Sequence, residues 1–267
     1  GSLWAAYYNC TTPSDWTPLP KTEALKAQAE QMARSGQIDP VANLGTARVW
    51  LFAGGHDRTV AQPVVEAALR FYESFNRSVH VRPYAFVRDQ RAGHAMITAD
   101  AGSACDASAP PYLNDCDYDA AGALLTHLLG PLRSPAAKPG GRLVSFDQKA
   151  LAGGDAYAAS LADSGFVYVP ASCATERCEV HVAFHGCRQN ADQVGERFAR
   201  EAGYNRWADT NRLIVLYPQT IARYFWTYNP RGCWDWWGYT GPQYATKAGP
   251  QVRAVMAMVE RLGAARD

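Results

Sequence analysis

Apolar positions along the chain switch between a spacing near 3.6 residues and strict alternation, and the order of those switches predicts helices interleaved with strands. Residues 1–20 are aromatic and proline-rich and show neither period, which predicts an ordered loop. Residues 22–35 are dominated by Ala, Glu, Gln, Leu and Lys, good helix formers, and stop at Gly36. Residues 47–53 form a short apolar run closed by Gly54-Gly55, the pattern of a buried strand with a sharp exit. Val64, Val65, Ala68, Leu69, Tyr72 and Phe75 then recur at helical spacing across 61–75. Residues 80–87 alternate like a strand. Strand, helix and strand make a crossover unit, which predicts parallel pairing.

Further along, residues 100–118 read as a loop bounded by cysteines, followed by a helix over 119–129. The Ser/Pro/Gly-rich stretch 134–142 reads as an internal connection, because the segments after it continue a sheet. Residues 166–170 predict an antiparallel strand, and 178–184 and 213–217 predict two buried ones. Between those two, 191–209 reads as helical, with Val194, Phe198, Ala202 and Trp207 on one face. A last helix starts at Pro250, with Val252, Val255, Met256, Val259 and Leu262 expected inward. The whole, 1–267, is expected to be one α/β domain with a mostly parallel central sheet flanked by helices.

Composition narrows the function classes. The 267 residues are 48% hydrophobic and carry a formal net charge of +1 from 26 basic and 25 acidic residues, so there is no basic stripe for a nucleic acid. No apolar run reaches membrane-span length, and no membrane partner is expected. Seven cysteines change the picture more. Cys105 with Cys116, and Cys173 with Cys178, are close pairs in polar loop sequence that predict local disulfides. No second Cys/His pair stands at zinc-ligand spacing, so no metal is expected. Disulfides imply an oxidising compartment, extracellular or periplasmic. Cys10 is left either free or bonded to something upstream.

Candidate chemistry is confined to a few segments. Asp57 follows the 47–53 strand, at the rim where parallel sheets bind ligands; on its residues alone it reads first as a turn or helix cap. His94, in a loop after the 80–87 strand, reads first as an exposed loop histidine. Asp then His on successive strand ends is nevertheless the acid and base order of α/β-hydrolases. His181, His185 and Cys187 cluster on one segment, and His185-Gly186-Cys187 suits a turn presenting backbone N–H groups to an oxyanion. Cys187 is open to two readings, a nucleophile partnered by His94 or a disulfide partner of Cys233. Trp234, Trp236 and Trp237 flank a Gly-Cys turn, and Tyr224, Phe225, Trp226 and Tyr228 crowd a stretch that resembles a lid. No Gly-x-Ser-x-Gly occurs anywhere.

Several long motifs in one order carry a family resemblance. These are IDPVANL from Ile38, FAGGHDRTV from Phe52, NDCDYDAAG from Asn114, HVAFHGCRQ from His181, GYNRWADTN from Gly203, LYPQ from Leu216 and GCWDW from Gly232. With them the chain resembles the extracellular poly(3-hydroxybutyrate) depolymerases of the single-domain, fungal-like, circularly permuted type. The resemblance implies an α/β-hydrolase fold with a Ser–His–Asp triad and no metal or organic cofactor. By motif position it implies Asp57 as acid and His94 as base. It also implies that Cys187 is an oxyanion N–H donor disulfide-bonded to Cys233, and that Trp234 lines the polyester subsite. The serine elbow of that family lies upstream of the segment that Gly1 to Cys10 resembles. The expectation is therefore a chain whose elbow segment stands outside these residues, and Ser2 is not its nucleophile.

The expected partner is a hydrophobic polyester or its oligomers, bound by the tryptophans with Tyr224 and Trp226, and the expected state is a monomer. Two other functions fit the same residues: a non-catalytic polymer-binding relative, and an esterase of soluble or aromatic esters.

Overall fold

A computed structural model describes residues 3–11, 13, 18–76, 83–225 and 227–264. Helix α1 (Leu3–Cys10) occupies the segment expected as a loop. Its aromatic residues lie at helical spacing: the rings of Trp4 and Tyr8, four residues apart, sit 5.1 Å apart. Helix α2 (Thr22–Arg34) is followed by strand β1 (Val49–Gly54), helix α3 (Gln62–Glu73) and strand β2 (Tyr84–Asp89). The two strands pair in parallel from Val49 opposite Tyr84 to Gly54 opposite Asp89. The crossover helix packs on β1, and α2 packs on that helix.

The cysteine-bounded stretch is more than a loop. Strands β3 (Met96–Thr98), β4 (Ser103–Ala104) and β5 (Leu113–Asp115) form a small parallel sheet ordered β3-β5-β4. Helix α4 (Ala120–Leu129) follows, capped by the Asp119 carboxylate, which accepts the Gly122 N–H.

A third sheet contains β6 (Arg142–Asp147), β7 (Ser164–Val169), β8 (Glu179–Val182) and, after three short helices, β9 (Leu213–Tyr217). Its order is β6-β7-β9-β8, with β6-β7 and β7-β9 antiparallel and β8-β9 parallel. The mostly parallel central sheet of the sequence reading is thus, among the described residues, three separate sheets of which the largest is mixed. Strand β6 had no signal of its own, since only Leu143 and Phe146 turn toward a core. Strand β8 is half-exposed, not buried, because it is the end strand of its sheet.

The segment 191–209 is also not one helix. It breaks into α5 (Ala191–Val194), α6 (Arg197–Glu201) and α7 (Tyr204–Asn211), with Gly195 and Gly203 at the breaks in positive-φ conformations. The chain closes in α8 (Pro250–Ala264).

Strand β9 is buried along its whole length and serves two cores. Leu213, Val215 and Tyr217 face α4, α6 and α7, while Ile214 and Leu216 face α8 through Ala254 and Met258. The inward stripe of α8 keeps three of its expected residues, since Val255 is buried and Val259 and Leu262 pack against the core. Ala254, Val255 and Met258 are buried, whereas Val252 and Met256 are exposed. Gln251 is buried beside them: its amide donates to the Ala159 carbonyl, and its Oε1 accepts the Asp235 N–H.

Candidate active site

Both parallel strands of the first sheet end in tight turns, and these turns bring an acid and a base together. Past β1 the Asp57 N–H bonds the Gly54 carbonyl, and past β2 the Ala92 carbonyl accepts the His56 N–H. Asp57 does not cap α3, whose cap is Ala61. Its Oδ1 accepts the N–H groups of Thr59 and Val60, each at 2.8 Å, and its Oδ2 lies 2.8 Å from His94 Nδ1. Burial pushes the Asp57 carboxyl up. The bonds from His94, Val60 and Thr59, with the attraction of the His94 charge, outweigh it and hold the carboxyl below its ordinary range. With Nδ1–H donated to Asp57, the imidazole presents Nε2 as its acceptor. That nitrogen has no hydrogen-bond partner among the described residues, and the side chain is 39% exposed. Such a pair can take a proton from an incoming hydroxyl and return it.

A second element approaches from the carboxyl end of β8. His185 is buried; its Nδ1 bonds the Gly186 carbonyl at 2.8 Å and its Nε2 accepts the Thr220 N–H at 3.1 Å. Burial pushes this imidazole down to about 4 against the opposing pull of the Gly186 carbonyl, so it is neutral at physiological pH. Cys187 is disulfide-bonded to Cys233, with Cα atoms 4.2 Å apart. Asn229, fully buried, accepts the Cys233 N–H and donates to its carbonyl, both at 2.9 Å. The Cys187 N–H has no acceptor among the described residues, which leaves it available to an oxyanion. The disulfide removes Cys187 from consideration as a nucleophile, since only a thiolate attacks. Cys105–Cys116 and Cys173–Cys178 are also bonded, and Cys10 is a free thiol.

One buried side chain joins the two halves. Gln189 Oε1 accepts the Gly186 N–H at 2.8 Å, and its amide donates to the carbonyls of Pro111 and Tyr112 at 3.1 and 2.9 Å. The Tyr112 ring lies edge-on to His94, with centroids 6.4 Å apart. Gln189 stood inside a quoted motif without a role, and Tyr112 had no signal, because neither shows its contacts in local periodicity.

The aromatic residues fall into three settings. Trp234 packs edge-on to Phe184 at 4.8 Å and against His185 at 5.7 Å, and it covers the core between β9 and α8. Its Nε1 is buried and has no hydrogen-bond partner among the described residues. Trp236 and Trp237 meet edge-on at 5.6 Å, the first of them exposed. Between them and Trp234, the Asp235 carboxylate gathers the N–H groups of Trp237, Gly238, Tyr239 and Thr240 and the Thr240 hydroxyl. Tyr224, Phe225 and Tyr228 project into solvent from a turn closed by the Arg223–Asn229 bridge. Trp226 lies outside the described residues.

A family model described as esterase PHB depolymerase matches residues 163–266. The polyhydroxybutyrate depolymerase of Talaromyces funiculosus is 36% identical over 240 residues, covering 85% of this chain and 69% of that protein. The chain belongs to the PHB depolymerase family. Another member, the poly(3-hydroxybutyrate) depolymerase of Delftia acidovorans, is 41% identical over 98% of this chain. The chain spans about half of that protein's length, 51%. The crystal structure of PHB depolymerase from Penicillium funiculosum superposes with a TM-score of 0.85 at 31% identity, over 95% of this chain and 83% of the other. A PHB depolymerase complexed with an R3HB trimer gives the same TM-score at 33% identity, over 91% and 79%. The α/β fold therefore resembles that of the fungal PHB depolymerase.

Proposed function

We propose that this chain supplies the acid, the base and one oxyanion donor of a serine esterase that hydrolyses poly(3-hydroxybutyrate) or a similar aliphatic polyester. The observation that carries the reading is the 2.8 Å contact between His94 Nδ1 and Asp57 Oδ2, with Nε2 left open. In this reading a serine hydroxyl attacks the ester carbonyl while His94 Nε2 takes its proton. Asp57 stabilises the imidazolium, and the Cys187 N–H holds the oxyanion. His94 then returns the proton to the leaving alkoxide, and water releases the acyl group by the same steps in reverse. The nucleophile comes from a segment outside these 267 residues, in one circularly permuted α/β-hydrolase domain. The absence of any Gly-x-Ser-x-Gly supports this, as do two sheet edges. Among the described residues β1 pairs only with β2, and β8 only with β9, so each has room for one more strand.

The substrate class is supported by the names of the relatives and by the R3HB trimer held by one of them. Trp234, Trp236 and Trp237 are proposed to line the polymer groove, and Tyr224, Phe225 and Trp226 to adsorb it. Three disulfides support an extracellular or periplasmic setting.

The test is to read the coding sequence upstream of Gly1, express the extended protein, and measure clearing of poly(3-hydroxybutyrate) film beside cleavage of short soluble esters. Clearing that His94→Ala reduces by several orders of magnitude, with folding intact, is the expected result. Binding to the film without hydrolysis would identify a polymer-binding relative, and cleavage of soluble esters alone would move the substrate class.

A further inference from the structure

His94 stands on a loop, and the bond from its ring to Asp57 cannot by itself hold the backbone that carries it. The loop is held from the opposite side by residues 105–108. The His94 backbone N–H donates to Ser108 Oγ at 2.9 Å, and the Gly93 N–H donates to the Cys105 carbonyl at 2.8 Å. The two segments touch directly: a Cβ at Gly93 would come within 2.2 Å of the Ala107 carbonyl oxygen and 2.5 Å of that of Asp106.

The 105–108 segment is in turn braced from β5. Asn114, fully buried, donates both amide hydrogens, to the Cys105 carbonyl at 3.0 Å and to the Ala107 carbonyl at 2.7 Å. A short planar side chain with two donors on one nitrogen is what two converging carbonyls require, and an aspartate has none to offer. The Cys105–Cys116 disulfide, with Cα atoms 4.7 Å apart, closes the same segment onto the end of β5.

We propose that Ser108, braced through Asn114, is a positioning residue for His94: its hydroxyl fixes the backbone of the base at the height where the ring meets Asp57. This rests on the esterase reading for its consequence, though not for its geometry. Ser108 is exposed, so its loss leaves the core packing intact. What it removes is a constraint on a base that must sit within about 0.5 Å of its working position.

The first measurement needs no ester hydrolysis. In the proton NMR spectrum of the extended protein, the proton shared by His94 Nδ1 and Asp57 should give a low-field resonance. Ser108→Ala is expected to broaden it into solvent exchange, and Ser108→Thr, which keeps the hydroxyl, to restore it. The second uses the same protein and its esterase activity. Ser108→Ala should lower kcat roughly tenfold to a hundredfold, with KM and melting temperature nearly unchanged. An unchanged resonance in Ser108→Ala, or one that Ser108→Thr fails to restore, would overturn the proposal. If the unsubstituted extended protein hydrolysed no ester, that would count against the esterase reading alone, and the resonance would still decide the brace.

Discussion

Trp234, proposed to line the polymer groove, is also part of the core. It follows Cys233, whose disulfide holds it beside the turn at Cys187, and its ring lies against Phe184 and His185. It also covers the core beneath α8. A tryptophan serving the substrate alone could be truncated without loss of stability; this one cannot. Trp234→Ala is expected to cost about 3 kcal/mol of unfolding free energy. It should also lower hydrolysis of polymer and oligomers more than that of a short soluble ester. Urea unfolding beside both activities checks this. A stability loss with unchanged substrate preference would leave Trp234 as a core residue only.

The turn of residues 234–240 is the element on which the aromatic rim depends. It has no helix or strand to satisfy its backbone, and one carboxylate does so instead. Asp235 Oδ1 takes the N–H groups of Trp237, Gly238 and Tyr239 at 3.3, 2.6 and 3.0 Å. Its Oδ2 takes the Thr240 N–H at 2.8 Å and the Thr240 hydroxyl at 2.6 Å. Replacing the acceptor leaves several donors unpaired, at about 1–3 kcal/mol for each that water cannot reach. Asp235→Ala should therefore loosen Trp236 and Trp237 more than it unfolds the molecule. The expected result is a reduced near-ultraviolet circular dichroism signal from tryptophan with far-ultraviolet signal retained. An unchanged near-ultraviolet spectrum would show that packing alone holds the rim.

For the whole molecule, stability should depend on acid through two histidines, His185, which is buried, and His181, which is partly buried. Burial pushes both His181 and His185 from 6.5 down to about 4. The unfolded chain takes up protons below pH 6.5 while the folded chain resists until about 4. The stability of the neutral forms is therefore complete above 6.5 and is lost as pH falls from 6.5 to 4. Each histidine accounts for roughly 3 kcal/mol across that window. His185 bears directly on the site, because a proton on Nε2 removes the acceptor for the Thr220 N–H. Melting temperature measured from pH 7 to pH 4 should fall throughout. A His181→Phe variant, which keeps an aromatic ring against Tyr204, should fall less steeply. An equal slope in the variant would remove His181 from the account.

Local pattern determined the elements whose burial is one-sided or complete. The stripe of α3, the helix formers of α2 and the apolar run of β9 each state their conformation in a window of a few residues. The close cysteine pairs are legible for the same reason, since few residues separate them. Elements set by contact were not legible. Val252 and Met256 have the spacing of an inward stripe but are exposed, while polar Gln251 is buried with partners in the interior. The site belongs to this second kind. Motif resemblance could assign roles to Asp57, His94 and Cys187, but no period in the chain relates positions 37 residues apart, or 46 for the Cys187–Cys233 bond. Their meeting depends on where β1, β2 and β8 end, and on buried amides such as Gln189 and Asn114 that reach between segments. Sequence encodes local conformation through the repeat of each element. Which ends face one another is decided only when the cores close and every buried carbonyl and N–H must find a partner.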